Sequence, residues 1–252
     1  MKTYVLNPCE LRGCHHVFPF IARNELKDYG ERKLNLTRAG TILWSPTNKG
    51  YGHRPNDTTS DYFTTGDIGT QPPSTWAYET LIYLHNTDNQ HFCGYYESPG
   101  HNTHDRALSV DTGSLTIYIY DGLGKTAAWP GTLEVKKFYH ILASTDGTNM
   151  HITVNGSSSS NTSVSNGGFS SYTSPEFIIG AGMYGSTTTM VGTDANILYV
   201  KVHDRHIPPE LARSMTKDNF NLYKQPRPFR LFQEVAGAPA GLDFMWRRRW
   251  DQ

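Results

Sequence analysis

From Thr41 onward the chain alternates short apolar and polar positions with a period of two. The runs are "TILWS", "DYFTTGD", "TWAYETLIYLH", "HFCGYYE", "RALSV", "SLTIYIYDG", "FYHILAST", "MHITVNG", "EFIIGAGMYG" and "NILYVKVHD". Gly, Asn, Asp or Pro separates most of them, the punctuation expected of an antiparallel sandwich. Parity assigns faces. In "SLTIYIYDG", Leu115, Ile117 and Ile119 share one side, while Thr116, Tyr118 and Tyr120 share the other. In "FYHILAST" both parities are apolar, which places that strand centrally with protein over both faces. In "MHITVNG", Met150, Ile152 and Val154 oppose His151, Thr153 and Asn155. Asp146-Gly147 and Asn155-Gly156 are turn formers, because Gly accepts positive φ and Asp or Asn tolerates it.

One helix signal follows the last strand. In "HDRHIPPELARSM" two prolines precede Glu210, Leu211 and Ala212, and proline suits a first helical turn where a glutamate complements the dipole. Residues 156–174 are a low-complexity polar stretch with only Val164, Phe169 and Tyr172 for packing, and read as a mobile loop. "GLGKTAAWPG" lacks full phosphate-loop spacing and a following helix, and also reads as a loop. Residues 1–40 show no sustained period and allow at most a short helix before Gly40. The division is therefore an N-terminal arm or attachment segment (1–40), a sandwich (41–225) and a C-terminal tail (226–252).

The chain has 252 residues, 23 basic against 23 acidic side chains, and a formal net charge of zero. Neutrality argues against nucleic acid held over a broad face by phosphate neutralisation. Three cysteines, Cys9, Cys14 and Cys93, form no repeating framework and read as mostly free thiols made in a reducing compartment. No apolar run approaches the roughly 20 residues that span a bilayer. The opening "MKTYVLNPCELRGCHH" has no continuous apolar core, so a Sec signal is not expected.

The hairpin from Phe138 to Gly156 and the strand–helix ending together resemble the laminin-G-like branch of the concanavalin A-like lectin/glucanase superfamily. The carrying residues are Tyr139, His140, Ile141, Asp146-Gly147 and Asn155-Gly156, then "EFIIGAG", then Asp204, Arg205, Pro209, Glu210 and Leu211. Trp76 is similar to the family's characteristic strand tryptophan. "NLYKQPRPFRLF", through Tyr223, Pro226, Leu231 and Phe232, resembles the ending of such domains encoded by tailed bacteriophages. The resemblance implies an all-β fold: an antiparallel jelly-roll sandwich with one short helix after the last strand. Two departures stand out: Phe138-Tyr139 replaces the usual Trp before the His, and residues 1–40 lie outside the resemblance.

Glycanases on this fold need two carboxylates flanking the scissile bond, usually as Glu-x-Asp-x-x-Glu. No such cluster exists; Glu79, Glu97, Glu134 and Glu176 each read as an isolated exposed charge. "CELRGCHH" offers Cys9, Cys14, His15 and His16 to zinc, but adjacent histidines seldom share one ion and no second Cys pair follows. No Gly-x-Ser-x-Gly elbow exists for a nucleophile. The resemblance allows calcium at the sandwich rim, with Asp67, Asp105, Asp111, Asp121 and Asp194 in turns, although turn formation explains each. The metal ligands are therefore left unassigned, no cofactor is required, and calcium is allowed.

Sugar binding needs aromatic platforms against C–H faces with polar groups nearby. Among Tyr95, Tyr96, Tyr118, Tyr120, Trp129 and Tyr184, the residues assigned to a ligand face are Tyr118, Tyr120, Trp129 and Tyr184. In "DFMWRRRWDQ", Trp246, Arg247, Arg248, Arg249 and Trp250 form a candidate protein-docking tail. The sequence reading is a non-enzymatic structural or decoration protein of a phage virion, made in the host cytoplasm without a signal peptide. Its exposed sandwich would aid adhesion to cell-surface glycan, with other virion proteins as partners, a homo-oligomer allowed, and no nucleic acid or membrane span. The alternatives are a free, extracellular carbohydrate-binding module and, third, a glycan hydrolase.

Overall fold

A computed structural model describes residues 5–6, 13–20, 26–47, 50–55, 60–70, 72–97, 105–111, 113–120, 125–159, 162–163, 174–183, 190–217 and 223–224. Tyr184, Cys9, Asp121, the stretch 164–173 and the candidate docking residues Trp246 to Trp250 lie outside them.

In chain order the strands begin with β1 (Val5–Leu6), β2 (Cys14–Phe18), β3 (Thr37–Ala39), β4 (Leu43–Thr47), β5 (Gly50–Arg54), β6 (Tyr62–Asp67) and β7 (Trp76–Leu84). There follow β8 (Gln90–Glu97), β9 (Asp105–Asp111), β10 (Ser114–Tyr120), β11 (Lys125–Ala128), β12 (Phe138–Thr145), β13 (Asn149–Val154), β14 (Ser157–Ser158) and β15 (Thr162–Ser163). The chain continues through β16 (Pro175–Ile179), β17 (Ala181–Met183), β18 (Met190–Gly192), β19 (Ala195–His203), helix α1 (Pro209–Lys217) and β20 (Tyr223–Lys224). Two antiparallel sheets form the sandwich. The seven-stranded sheet runs β11-β10-β9-β8-β16-β6-β3, and the nine-stranded sheet runs β14-β13-β12-β7-β19-β5-β4, with β15 on β13 and β2 on β19.

Alternation does the sorting. Trp76, Tyr78, Ile82 and Leu84 of β7, Tyr139, Ile141 and Ala143 of β12, and Met150, Ile152 and Val154 of β13 enter one core. Phe92, Tyr95, Leu108, Leu115, Ile117 and Phe177 meet them from the seven-stranded sheet. Each side chain of this size, fully buried, is worth about 1.5–3 kcal/mol. Trp76, the expected family tryptophan, is buried and stacks on Tyr78 at 4.2 Å. As the parity of "FYHILAST" predicts, β12 lies between β7 and β13 and is covered on both faces. Both predicted turns form with positive φ: 88° at Gly147, 48° at Asn155 and 83° at Gly156.

Helix α1 starts at a proline, carries Glu210 in its first turn and Lys217 in its last. Its buried face is made of Ala212 and Thr216, four apart and small, so it lies close on Ala77 and Leu142 behind the nine-stranded sheet. The Thr216 hydroxyl donates to Ala212 O and accepts the Gly156 N–H at 3.0 Å, fastening the helix to the hairpin turn.

Three sequence expectations change. Cys14–Phe18, read as part of an attachment arm, is a strand of the nine-stranded sheet paired with Val200–His203, and Thr37–Ala39 is an edge strand of the other sheet. Its apolar face is His16 and Phe18, a pattern that histidines disguise. Lys125–Ala128, read as loop, is β11, because pairing with β10 supplies the order that its weak strand propensity does not. Thirdly, Glu79 and Glu176 are buried rather than exposed. Glu134 does match its reading, exposed and paired with Lys137 at 2.6 Å.

Gly94, in the middle of the seven-stranded sheet, is required by a close approach. A Cβ there would stand 2.5 Å from Arg106 O and 2.9 Å from the Ala107 Cα, both on the neighbouring backbone. Gly94→Ala is expected to cost about 1–3 kcal/mol by overpacking. Urea unfolding checks this, and a cost within error of zero would mean that β8 and β9 separate freely.

Candidate functional site

The second, outward face of the seven-stranded sheet brings together most of the chemistry suited to a ligand. Register builds it in rows. One row runs Thr126, Tyr118, Ala107, Gly94, Ile178, Thr64 and Thr37 across β11, β10, β9, β8, β16, β6 and β3. On one side of it, Thr116 pairs with Ser109 and Ser109 with His91. On the other, Tyr120 pairs with Asp105, and Tyr96 with Glu176, which pairs with Asp67. Because Leu115 and Ile117 enter the core, alternation puts positions 116, 118 and 120 on this outer face.

The centre of the face is packed and its β11 side is open. Tyr96, Ala107 and Ile178 form a small apolar cluster joined by Tyr62, while Thr126 and Ala128 are exposed. The short β17–β18 hairpin crosses over β8, and Gly182 rests directly on the Tyr96 hydroxyl and the His91 ring. His91 Nδ1 and Tyr96 Oη are 3.1 Å apart. Burial pushes the His91 pKa down to about 4, so this imidazole is neutral near pH 7. The Ser109 and Thr116 hydroxyls are 3.1 Å apart, and the Thr64 hydroxyl donates to Glu176 Oε2 at 2.7 Å. These are fixed hydroxyl and carboxylate groups beside aromatic positions.

The other ligand-face assignments separate. Trp129 follows β11 with core-facing parity and packs its half-buried ring on the core cluster, 6.3 Å from Tyr139 and folded over Gly131. It plugs the sandwich edge rather than joining the Tyr118–Tyr120 face. Tyr95 and Tyr96 are buried. Of the calcium candidates, Asp67 accepts the Gly69 N–H at 2.8 Å, which pulls its carboxyl below the usual range, and Asp194 is paired with Arg54 at 2.7 Å. The His15 and His16 rings lie 4.7 Å apart but are engaged separately, His16 with Asp28 at 2.8 Å and His15 with Arg32 at 2.7 Å. Among the described residues, no group of three or more His, Cys, Asp and Glu is arranged to hold a metal.

A second polar assembly lies behind the nine-stranded sheet. Glu79 Oε1 accepts from Tyr199 Oη at 3.0 Å, His140 Nε2 at 3.1 Å and Lys201 Nζ at 3.1 Å, and Oε2 accepts from His203 Nε2 at 3.2 Å. Burial alone would raise the Glu79 pKa; Lys201, His140 and His203 outweigh it and hold the carboxyl well below its usual range.

The sequence profile of the concanavalin A-like lectin/glucanases superfamily, in its laminin-G form, matches residues 57–210, more than half of the chain. The chain belongs to the concanavalin A-like lectin/glucanase superfamily. Solved structures of similar fold include domain 4 of AbnA, an extracellular arabinanase of family GH43 from Geobacillus stearothermophilus, in complex with arabinotriose. It shares 12% identity and a TM-score of 0.62, over 81% of this chain and 98% of that one. The botulinum neurotoxin serotype G binding domain gives 10% identity and a TM-score of 0.60 over 81% of this chain. A structure on botulinum neurotoxin type C, whose cell entry depends on two ganglioside molecules, gives 9% and 0.62 over 85%. The chain spans about half the length of these toxin chains, 50% and 53%. No curated protein sequence matches.

The lectin-like jelly roll read from the sequence is thus the observed fold, and no helix among the described residues is long and apolar enough to cross a membrane. Sequence reasoning missed the Glu79 assembly. Its signal was present: Tyr199, Lys201 and His203 alternate with Val200 and Val202, and Glu79 sits between Ala77 and Leu81 in a strand with no polar face. Charges at such positions need partners.

Proposed function

We propose that this superfamily member is a non-enzymatic binding protein that offers the outer face of its seven-stranded sheet to a glycan and is carried on a tailed-phage particle. The observation behind the glycan reading is the register that sets positions 118 and 120 on one face beside Ser109, Thr116 and Asp105. Aromatic residue types on successive rows, in register with hydroxyl and carboxylate residue types, are the composition that suits the apolar and polar faces of sugar rings. An arabinanase domain of this fold is seen with arabinotriose, and a toxin of this fold depends on gangliosides, which supports a saccharide as the ligand class. The particle setting rests on Tyr223, Pro226, Leu231 and Phe232 and their resemblance to phage-encoded endings.

Replacing Tyr118 and Tyr120 together by Ala is expected to weaken glycan affinity by about tenfold or more, roughly 1.4 kcal/mol, with folding retained. Glycan-array screening followed by calorimetry measures it, and unchanged affinity would remove this face as the site. Trp129→Ala should instead lower stability, since its ring packs on the core. Peptides of this chain at stoichiometric level in purified particles support the virion setting; their confinement to the medium argues against it.

One observation favours a hydrolase as the second reading. Positions 105 and 176 lie on the outer face one strand to either side of β8, about 10 Å apart by strand spacing, with Tyr96 between them. Inverting glycosidases hold their carboxyls ~6.5–9.5 Å apart. Reducing-end release by the wild-type chain, abolished in Glu176→Gln, would establish that reading; binding without release supports the non-enzymatic one.

A further inference from the structure

Three strands bring a thiol, an imidazole and a carboxylate into line behind the nine-stranded sheet. Register sets Cys14 of β2 opposite His203 of β19, and Lys201 of β19 opposite Glu79 of β7. Cys14 Sγ lies 3.6 Å from His203 Nδ1, and His203 Nε2 lies 3.2 Å from Glu79 Oε2. The ionised carboxylate can only accept, so His203 Nε2 carries a proton and donates it. The Nδ1 lone pair is then turned to the thiol. The order thiol–imidazole–carboxylate is the arrangement in which a base takes the nucleophile's proton and a third group orients the base.

Two cations lie near the line. Lys201 Nζ reaches both Glu79 oxygens, at 3.1 and 3.2 Å. The Arg205 guanidinium covers Gly13, the residue before Cys14, with its central carbon 3.3 Å from where a Cβ would stand. Cys93 provides an internal contrast. It sits in the sandwich core, where burial pushes its thiol far up, whereas Cys14, just as buried among Val17, Leu81, Leu198 and Tyr199, has the His203 imidazole beside it. A neighbouring imidazole or cation lowers a thiol's pKa, whereas apolar surroundings alone raise it.

We propose that Cys14 is a peroxide-reactive thiol, activated by His203 and oriented through Glu79. The thiol proton passes to His203 Nδ1. The sulfur attacks one peroxide oxygen, the S–O bond forms as the O–O bond breaks, and the departing hydroxide takes the proton from the imidazolium and leaves as water. Sulfur is oxidised to sulfenic acid and the peroxide is reduced, with no other reactant needed. Cys14 is 1% exposed, so access requires local opening.

The test treats the full chain with hydrogen peroxide from pH 5.5 to 8.5, traps sulfenic acid with dimedone, and counts adducts on Cys14 and Cys93 by mass spectrometry. Cys14 is expected to react at least about tenfold faster than Cys93 and to keep most of its rate down to pH 6.5. An ordinary thiol of pKa about 8.5 loses roughly tenfold per unit over that range. His203→Gln should return Cys14 to the ordinary profile. Cys14 reacting no faster than Cys93, or falling tenfold per pH unit in the wild-type chain, would overturn the proposal whether or not the variant folds.

Discussion

Glu79→Ala is expected to destabilise the fold by about 3–5 kcal/mol, the loss typical when one partner of a buried ion pair is removed. Glu79 is 2% exposed and Lys201 1%. Four side chains from β7's two neighbours, β12 and β19, direct donors at this one carboxylate. Its removal leaves the Lys201 ammonium, 5.5 Å from the Tyr199 ring centroid, without its counter-charge in a strand that is buried throughout. The double variant Glu79→Gln with Lys201→Met removes both charges and should recover most of the loss, because an apolar replacement of a buried pair is often close to neutral. Urea unfolding of the three proteins separates the outcomes. A Glu79→Ala loss below about 1 kcal/mol would mean that water reaches the assembly and solvates Lys201.

Acidification should unfold the protein in a window set by histidines before the carboxylates take part. His91, His151 and His15 are each pushed down to about 4, in every case chiefly by burial, with His16 adding to His15 and His206 to His151. The unfolded chain takes up these protons near pH 6.5 while the folded chain does not, so stability is whole above 6.5 and falls continuously to about pH 4. His91, depressed by burial alone, has a shift that corresponds to about 3 kcal/mol. Glu79 acts lower, since its depressed carboxyl loses its contribution only as pH drops below the ordinary carboxylate range. Urea midpoints from pH 7.5 to 4 measure the slope. A midpoint constant between pH 6.5 and 4.5 contradicts the burial of neutral His91.

The legible parts of the fold are those whose order is local. β10, β12 and β13 alternate cleanly, their turns carry Asp-Gly and Asn-Gly, and α1 announces itself by Pro209 and Glu210, so pattern alone places them. β2, β5 and β11 were not legible: "CHHVF" becomes a strand through β19, far away in sequence, while "GYGHR" and "KTAA" have weak strand propensity and are ordered by pairing with β4 and β10. The same distance hid the site chemistry. Parity joined Tyr118 to Tyr120, but only register shows that Ala107 and Gly94 continue the row, and that Trp129 turns inward after β11. Glu79 read as an isolated charge because its partners lie 61 to 124 residues along the chain.

A glycan docked on the outer face of the seven-stranded sheet would perturb the backbone amides of the strands beneath it. Amide chemical-shift mapping of the full chain with the best oligosaccharide from an array tests this docking most directly. Shifts should concentrate at Ser109, Thr116, Tyr118, Tyr120 and Thr126, on three neighbouring strands. Shifts confined to the nine-stranded sheet around α1, or to neither sheet, would contradict docking there.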